Sequence, residues 1–293
     1  MTKWPGRAPS GRIAYVNGRY LAHRDAGVHI EDRGLQFGDS IYEVWGVRGG
    51  KRLDETGHLD RLERSLKALE LAPPMSREAL RFVLGEVMRR NRLTDGLLYL
   101  QVTRGSFRRD HPIPAEIVKP TVIVTAKTIA PAASAAKLRD GIKVITQPDL
   151  RWAWRDIKTT QLLPNLLAKT AAKRAGADES WLVDGEGFVT EGGSANAWIV
   201  RAAGDVVTHP LGRDILPGIT RSVVMAAAKD EGILVQERKF TVAEALAARE
   251  AFITGASGAA VPVLAIDGKP IGDGKPGAIT LRLQTLYARK TGS

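Results

Sequence analysis

The sequence predicts an α+β fold, and two patterns in the first half of the chain support this class. Asn17-Gly18 is flanked by apolar residues and is typical of a β-hairpin, which we expect over residues 13–21. Leucines at helical spacing predict a helix over residues 58–71, after a strand at residues 41–47. Since a hairpin pairs its strands in opposite directions, the sheet of this half is predicted to be antiparallel.

The other predicted elements follow in order along the chain. Ser76 is placed to cap a second helix. The Pro- and Ala-rich run at 129–137 is predicted to link a small N-terminal α+β domain, residues 1–128, to a larger domain, residues 138–293. The remaining predicted strands are 97–103, 120–126, 142–146, 179–183, 188–190, 197–200 and 251–254, and the remaining helices are 162–175, 219–231, 242–249 and 278–290.

The composition of the chain narrows the class of protein. The 293 residues include 44% hydrophobic residues and no cysteine, which excludes disulfides, thiolate metal sites and a cysteine nucleophile. No apolar run is long enough to span a bilayer, and the basic start of the chain lacks the apolar segment of a secretory signal. We therefore expect a cytoplasmic protein with no membrane partner.

The net charge of +11 raises the alternative of a basic nucleic-acid-binding protein without enzymatic activity. The basic residues are nevertheless spread along the chain, and their densest part, residues 77–109, contains interleaved acidic and apolar positions. No nucleic-acid motif is present, and no basic run contains interleaved aromatic residues. We therefore favour a solvated surface with a pocket for anionic ligands, and we expect neither a nucleic-acid partner nor a metal site.

Residues 152–199 contain the groups of greatest chemical interest. Lys158 lies between an apolar run and a Thr-Thr-Gln segment, and Glu191 ends a short apolar strand before a Gly-Gly-Ser turn. A lysine nucleophile needs partial burial, which disfavours its charged form, and a carboxylate at a strand end can hold a proton on a ligand ring nitrogen. Pyridoxal phosphate chemistry requires this pair of groups. In a chain with many lysines, however, the residue types alone favour an ordinary surface lysine.

Several segments, in the same order along the chain, resemble the class IV (fold-type IV) family of pyridoxal-phosphate-dependent aminotransferases, especially its D-amino-acid transaminases. The segments are EDRGLQFGDSIYEV with GHLDRLERSL, DIKTTQLLPNLLAK, VTEGGSANAWIV, LPGITR, and ITGASGAAVPV with IDGKPIGDGKPGAIT. The resemblance extends over residues 15–287, and several ordered motifs are far more specific than one. It implies a small N-terminal α/β-sandwich domain and a larger β-barrel-like domain with helices.

The resemblance also implies the cofactor, pyridoxal 5'-phosphate, and the roles of individual residues. Lys158 is implied to form the Schiff base with the cofactor and to move a proton between substrate and cofactor. Glu191 is implied to be the acidic partner of the pyridine nitrogen. Ser194, in the same turn, either tunes a nearby hydrogen bond or is an ordinary turn serine.

The phosphate of the cofactor needs hydrogen-bond donors, and LPGIT resembles the family's phosphate-binding segment. Gly218 and Ile219 would supply backbone N–H groups at the start of a helix, where the helix dipole favours an anion. Thr220 would add a hydroxyl. Leu216 matches the apolar residue behind the cofactor ring.

Two further phosphate ligands are implied by the resemblance. Arg61 matches the family's phosphate arginine, and the alternative is a surface arginine paired with Asp60 or Glu63. Many family members have serine or threonine where this chain has Ala256. Ser257 is the adjacent hydroxyl that could replace them.

An Arg-x-His pair in the loop after the strand at 97–103 bears on the choice of substrate. A guanidinium with a second donor suits a carboxylate, and Arg109 and His111, with Tyr42, match the carboxylate trap of D-amino-acid transaminases. In that family the arginine and histidine come from the partner subunit, which implies a homodimer. The alternative is a basic surface loop, and Arg108 beside Arg109 leaves the assignment of the clamp open.

The predicted activity is transamination between a D-amino acid such as D-alanine and a 2-oxo acid, either 2-oxoglutarate or pyruvate. Leu163 stands where branched-chain aminotransferases usually have a tyrosine, and the residues after Lys158 lack the Lys-x-x-Asn-Arg pattern of aminodeoxychorismate lyases. The alternative on the same scaffold is an (R)-selective amine transaminase, or a broad-range or branched-chain amino-acid transaminase.

Overall fold

The computed structural model describes residues 11–256 and 258–292 and divides the chain into two compact units. One unit comprises Met1–Ile129 and Ile157–Thr160, and the other comprises Ala130–Asp156 and Gln161–Ser293. Helices and sheets are combined in both units, which confirms the α+β prediction. Within the described ranges, no helix is both long enough and apolar enough to cross a membrane.

The first unit is built on one antiparallel sheet. Its strands are β1 (Ile13–Val16), β2 (Arg19–Ala22), β3 (Ser40–Arg48), β4 (Lys51–Arg52), β5 (Gly96–Thr103) and β6 (Thr121–Thr128), and its helices are α1 (Arg33–Phe37), α2 (Glu55–Ala68) and α3 (Arg77–Arg90). The six strands are ordered β2-β1-β6-β5-β3-β4. The predicted hairpin is confirmed as β1 and β2, with Asn17 at φ 46° and Gly18 at φ 88° in the turn.

The helices of this unit cover the sheet as their sequence patterns predict. The α2 helix packs on β3, and α3 packs on β1 and β6. The Ser76 hydroxyl accepts a hydrogen bond from the Ala79 N–H at 3.2 Å, so the predicted cap of α3 is confirmed. Trp45 of β3 and Leu84 of α3 are fully buried between helix and sheet. Removing such side chains from water is the main stabilising contribution to this unit.

The second unit contains a larger, mixed sheet. Its strands are β7 (Ile142–Pro148), β8 (Glu179–Val183), β9 (Val189–Gly192), β10 (Asn196–Val200), β11 (Val206–Thr208), β12 (Val235–Glu237), β13 (Glu250–Gly255), β14 (Gly258–Ile266) and β15 (Lys269–Pro270), and its helices are α4 (Pro131–Asp140), α5 (Leu163–Arg174), α6 (Ile219–Asp230), α7 (Val242–Leu246) and α8 (Ala278–Thr291). The strand order is β12-β11-β10-β13-β14-β7-β8-β9, and β15 pairs with β14. Three pairs are parallel, namely β11 with β12, β14 with β7 and β7 with β8.

The segment at 129–137, predicted as a linker, is helical in the structure. Pro131 lies in the first turn of α4, where a missing N–H costs no helical hydrogen bond, and the alanines that follow favour a helix. Leu138 packs against the core of the second unit, and the Gln284 side-chain amide donates to its carbonyl at 3.1 Å. Ile157–Thr160, which includes Lys158, groups with the first unit rather than with the predicted domain 138–293. The domain limits therefore stay a prediction.

A buried carboxylate, Glu250 at the start of β13, fixes the start of the C-terminal helix α8. It accepts hydrogen bonds from the Thr280 N–H and hydroxyl, both at 2.8 Å, and from the Ile279 N–H at 3.1 Å. These N–H groups have no partner within the helix, and the negative charge complements the helix dipole. A Cβ at Gly277 would lie 2.0 Å from the Glu250 side chain, so only glycine fits there.

We expect Glu250→Ala to lower the free energy of unfolding by roughly 2–4 kcal/mol, because three buried donors lose their acceptor. Urea unfolding followed by circular dichroism measures the change. Glu231→Ala, at the exposed end of α6, is the matched control and should change stability by less than about 0.5 kcal/mol. Equal effects of the two substitutions would contradict this role of Glu250.

Candidate active site

Lys158 lies on a short extended segment beside β3 in the first unit. The Tyr42 N–H donates to the Lys158 carbonyl at 2.9 Å, and the Thr160 N–H donates to the Ser40 carbonyl at 3.2 Å. The Ser40 and Thr160 hydroxyls form a further short hydrogen bond. These contacts fix the backbone of the lysine.

The side chain of Lys158 is half-buried and lies over an aromatic ring. Its Nζ is 4.2 Å from the centroid of the Tyr42 ring, which is itself stacked on Tyr99 at 5.7 Å. Burial and the neighbouring Tyr42 raise the pKa of Tyr99 above its usual value, so the phenol of Tyr99 stays neutral. Among the described residues, no carboxylate forms an ion pair with Lys158. The amine is thus held by an uncharged neighbour and is available for a covalent bond.

Arg61 is a buried residue of α2 and not a surface arginine. Its Nε and Nη2 donate to the two oxygens of Glu43 at 2.8 and 2.7 Å, and His58 Nδ1 lies 2.8 Å from Glu43 Oε2. Asp60 and Glu63 instead pair with Arg77. Burial alone would raise the pKa of Glu43, but Arg61 and His58 lower it to about 2. The carboxylate therefore stays ionised and fixes the orientation of the guanidinium.

Glu191 is buried at the end of β9 in the second unit, where several donors hold its carboxylate. Arg151 makes a short hydrogen bond to Oε1, the Asn196 amide donates to Oε2 at 2.9 Å, and the Leu216 N–H lies 3.2 Å from both oxygens. Donors of this kind favour the ionised carboxylate. A buried, ionised carboxylate can keep a nearby ring nitrogen protonated.

Arg151 is a residue that the sequence did not indicate. Burial lowers the pKa of Arg151, but the Glu191 and Asp149 carboxylates raise it by more. The pKa of Arg151 therefore lies above its usual value. Asp149 pairs with Arg151 at 2.7 Å and also accepts from the Thr190 hydroxyl at 2.7 Å. Arg151 is therefore always charged and holds Glu191 in one orientation. No motif could reveal this, because the contact joins positions 40 residues apart.

The predicted phosphate segment lies at the start of α6. Gly218 is the N-cap residue, and Ile219 and Thr220 form the first turn, with Thr220 buried. A Cβ at Gly218 would lie 2.1 Å from Asn196 Oδ1, which explains the glycine. The Asn196 amide also donates to the Leu216 carbonyl at 2.9 Å, so this asparagine connects the helix start to Glu191. The structure thus brings these predicted residues of the second unit together.

The other predicted cofactor residues of the second unit are Ser194, Ala256 and Ser257. The Ser194 hydroxyl donates to Glu179 at 2.7 Å and accepts from Lys169 at 2.9 Å, so it belongs to a small ionic cluster. Ala256 lies in the turn after β13, and Ser257 lies outside the described residues. The roles of these three residues at the cofactor stay predictions.

The Arg-x-His pair lies in an exposed loop of the first unit and packs on one aromatic ring. The Arg109 guanidinium is 5.3 Å from the Phe37 centroid, and the His111 ring is 5.7 Å from it. In the described part of the chain, no hydrogen bond, ion pair or ring contact joins Tyr42 to Arg109 or His111. The same part contains no cluster of acidic or histidine side chains suited to a metal ion.

The chain is similar to known aminotransferases in sequence and in structure. Residues 40–266 match the family described as "Amino-transferase class IV". The chain is 38% identical over 270 residues to "D-alanine aminotransferase" of Staphylococcus haemolyticus, covering 92% of this chain and 94% of that protein. It is 39% identical over 276 residues to the protein of the same name from Listeria monocytogenes, covering 94% of each.

Solved structures have the same fold over nearly all of both chains. The branched-chain amino acid aminotransferase from Escherichia coli matches with a TM-score of 0.85 and 27% sequence identity, covering 96% of this chain and 95% of that chain. A second branched-chain amino acid aminotransferase, solved with pyridoxamine 5'-phosphate, matches with a TM-score of 0.86 and 28% identity over the same shares of the two chains.

The pairing of Glu43 with Arg61 predicts a specific acid dependence of stability. Above pH 4.5, the ordinary pKa of this carboxyl, Glu43 is ionised in both the folded and the unfolded chain. At lower pH the unfolded chain binds a proton while the folded chain does not, so the stabilisation is lost as the pH falls toward the folded pKa of about 2. The stabilisation at neutral pH is on the order of 3 kcal/mol.

We expect Glu43→Gln to be less stable than the unchanged protein at pH 7, because Arg61 is left without its anion. The difference in the free energy of unfolding between the two proteins should shrink by roughly 2 kcal/mol between pH 5 and pH 3, because only the unchanged protein loses the stabilisation from ionised Glu43. Urea unfolding at a series of pH values measures it. Glu63→Gln removes an exposed acid of α2, so its free energy of unfolding should follow the same dependence on pH as that of the unchanged protein. The same dependence in Glu43→Gln would refute the role of the Glu43–Arg61 pair.

Proposed function

The chain belongs to the class IV aminotransferase family, and from this premise we propose that it transfers the amino group of a D-amino acid such as D-alanine to a 2-oxo acid. It is a pyridoxal-phosphate-dependent aminotransferase with the fold-type IV architecture. The acceptor is 2-oxoglutarate or pyruvate. The D-amino-acid assignment rests on one structural observation, that Arg109 and His111 both pack on the ring of Phe37. The similarity of the chain to two D-alanine aminotransferases supports it.

Each unit, taken by itself, offers side chains suited to the cofactor. When bound, pyridoxal 5'-phosphate supplies an aldehyde that takes up an amino group and a ring that withdraws electrons from the α-carbon. In the first unit, Lys158 offers an amine with no acidic partner among the described residues, and Arg61 is a cation held in a fixed orientation. In the second unit, Glu191 offers a buried carboxylate for the ring nitrogen, and Gly218 begins a helix suited to the phosphate.

Lys158 is proposed to move the proton of the reaction. Its Nζ would remove the proton from the α-carbon of the bound amino acid and deliver it to C4′ of the cofactor. The backbone contacts to Tyr42 and Ser40 hold the lysine in place, so that the amine moves only by rotation of its own side chain. Leu216, Ile219 and Thr220 complete the proposed cofactor contacts, together with Ser194, Ala256 and Ser257.

Arg109 and His111 are proposed to bind the substrate carboxylate of the partner subunit in a homodimer, with Tyr42 of the receiving subunit as the third donor. Both side chains are exposed in the single chain, and neither makes an ion pair in its described part. On α5, Leu163, Leu166 and Leu167 present an apolar face with exposed fractions of 66%, 59% and 61%. A surface of this kind is expected where a second subunit docks.

The two compact units are proposed to be a small and a large domain, and the protein is proposed to act in the cytoplasm with neither nucleic-acid nor membrane partners. The alternative activity on the same scaffold is that of an (R)-selective amine transaminase, or of a broad-range or branched-chain amino-acid transaminase.

Absorbance of the cofactor-loaded protein tests the proposed activity. We expect a visible absorption band that disappears on addition of D-alanine but persists with L-leucine, because the proposed carboxylate trap selects amino acids of the D configuration. Lys158→Ala should lack the band, while Lys173→Ala, at an exposed lysine of α5, should keep it. A response to L-leucine alone would show a branched-chain enzyme, and faster turnover of (R)-1-phenylethylamine than of D-alanine would favour the amine transaminase.

Mixed dimers test whether Arg109 acts across subunits. We expect Lys158→Ala and Arg109→Ala proteins to be nearly inactive alone with D-alanine. If the trap comes from the partner, half of a randomly mixed population carries one complete site, and about a quarter of full activity returns. The activity should appear only after subunit exchange, and no recovery on mixing would show that Arg109 serves its own subunit.

A further inference from the structure

We propose that Arg33 and Phe37, at the two ends of helix α1, are positioning residues that hold Arg109 and His111 in the geometry that receives a substrate carboxylate. This inference rests on the proposed function, since it concerns the same carboxylate site. Neither residue needs to touch the substrate. Each acts on the loop 105–111 that carries the Arg-x-His pair.

Arg33 clamps the backbone at the end of the loop. Its side chain is buried, and it donates to the Asp110 carbonyl at 2.8 Å and lies 3.4 Å from the His111 carbonyl. Its Nε donates to Asp39 at 2.9 Å, and this ion pair fixes the orientation of the guanidinium. The arginine fork presents its donors in a fixed planar geometry to the two neighbouring carbonyls, whereas the donors of a lysine ammonium rotate on a flexible stem.

Phe37 supports the side chains of the pair. Arg109 and His111 both lie on its ring, and the Arg33 guanidinium is 4.8 Å from the same centroid. A cation over an aromatic face is attracted by the ring quadrupole. Arg109 is therefore held by its charge, while its N–H donors are not committed to an acid in the described part of the chain.

The start of the loop is tied to α1 as well. The Arg33 N–H donates to the Gly105 carbonyl at 2.9 Å, and the Phe107 N–H donates to the Glu31 carbonyl at 3.3 Å. Asp32 caps α1 by accepting from the Gly34 N–H at 2.9 Å, and it also accepts from the Thr103 hydroxyl at 3.0 Å. The loop is thus fixed to one short helix at both of its ends.

This arrangement reduces the entropic cost of substrate binding. A free arginine side chain loses rotamer freedom when it closes on a carboxylate, whereas one already packed on a ring loses less. The gain applies only to substrates that carry the carboxylate. Weakening the support should therefore raise the concentration of D-alanine needed for half saturation and leave an analogue without the carboxylate unaffected.

Arg104 provides a matched control for Arg33. It donates to the same Asp39 carboxylate at 2.7 Å and is also buried, but its remaining N–H groups bind the Leu69 and Glu70 carbonyls and not the loop. Arg104→Lys disturbs the same buried ion pairs. A purely structural effect would therefore appear in both variants.

The experiment compares D-alanine with D-alaninol, which has the same side chain and no carboxylate, in Phe37→Leu, Arg33→Lys and Arg104→Lys. Loss of the visible band of the cofactor-loaded protein gives the half-saturating concentration and the maximal rate of each half-reaction. In Phe37→Leu and Arg33→Lys we expect the half-saturating concentration of D-alanine to rise by roughly threefold to tenfold. The maximal rate and the half-saturating concentration of D-alaninol should not change. Arg104→Lys should match the unchanged protein for both compounds.

Hydrogen exchange gives a readout that does not depend on turnover. Amides of residues 105–111 should exchange faster in Arg33→Lys than in Arg104→Lys and the unchanged protein. Equal amide exchange of residues 105–111 in Arg33→Lys and Arg104→Lys would overturn the positioning role. An equal rise in the half-saturating concentrations of D-alanine and D-alaninol would also overturn it. If the unchanged protein itself saturates at the same concentration of both compounds, the carboxylate trap of the proposed function is wrong, a result separate from any effect of Arg33 or Phe37.

Discussion

The pairing of buried arginines with buried carboxylates is the interaction on which the rest of the candidate site depends. A charge removed from water costs several kcal/mol unless a partner compensates it, so each buried arginine can occupy only the place that its carboxylate defines. Glu43 fixes Arg61, and Arg151 fixes Glu191. The proposed cofactor ligands are therefore oriented by electrostatics before any ligand arrives, and this lowers the cost of binding one.

Local sequence patterns predict those parts of the fold that local interactions stabilise. Asn17-Gly18 marks the hairpin because few residues adopt positive φ in both central positions of a tight turn, and Ser76 marks the start of α3 because its hydroxyl accepts from the first turn. Lys158 and Glu191 are predicted differently, from flanking segments that resemble those of the family. The boundary of α2 was less accurate, since the helix begins at Glu55 rather than at residue 58.

Interactions between distant positions explain what the sequence did not reveal. The α1 helix has only five residues and no apolar period, and its N-cap residue Asp32 is fixed by the Thr103 hydroxyl, 71 residues away. The contact from Arg33 to Asp110 joins positions 77 residues apart. The alanines of α4 give the sequence no strong apolar face that would predict a helix, and the helix is anchored by Leu138, which packs into the second unit. Tertiary contacts decide all of these cases.

The support of Arg109 by an aromatic ring, rather than by an acid, suits a residue that must bind a carboxylate. If an aspartate neutralised the guanidinium, a substrate carboxylate would have to displace it and separate two opposite charges. The Phe37 ring stabilises the cation without accepting its N–H hydrogen bonds, so charge and donors remain for the ligand. Arg33 shows the contrast, because its Nε is committed to the Asp39 carboxylate and its other donors are used on the backbone. The two arginines differ in partner as their proposed roles require, since Arg33 would hold the loop and Arg109 would bind the substrate carboxylate.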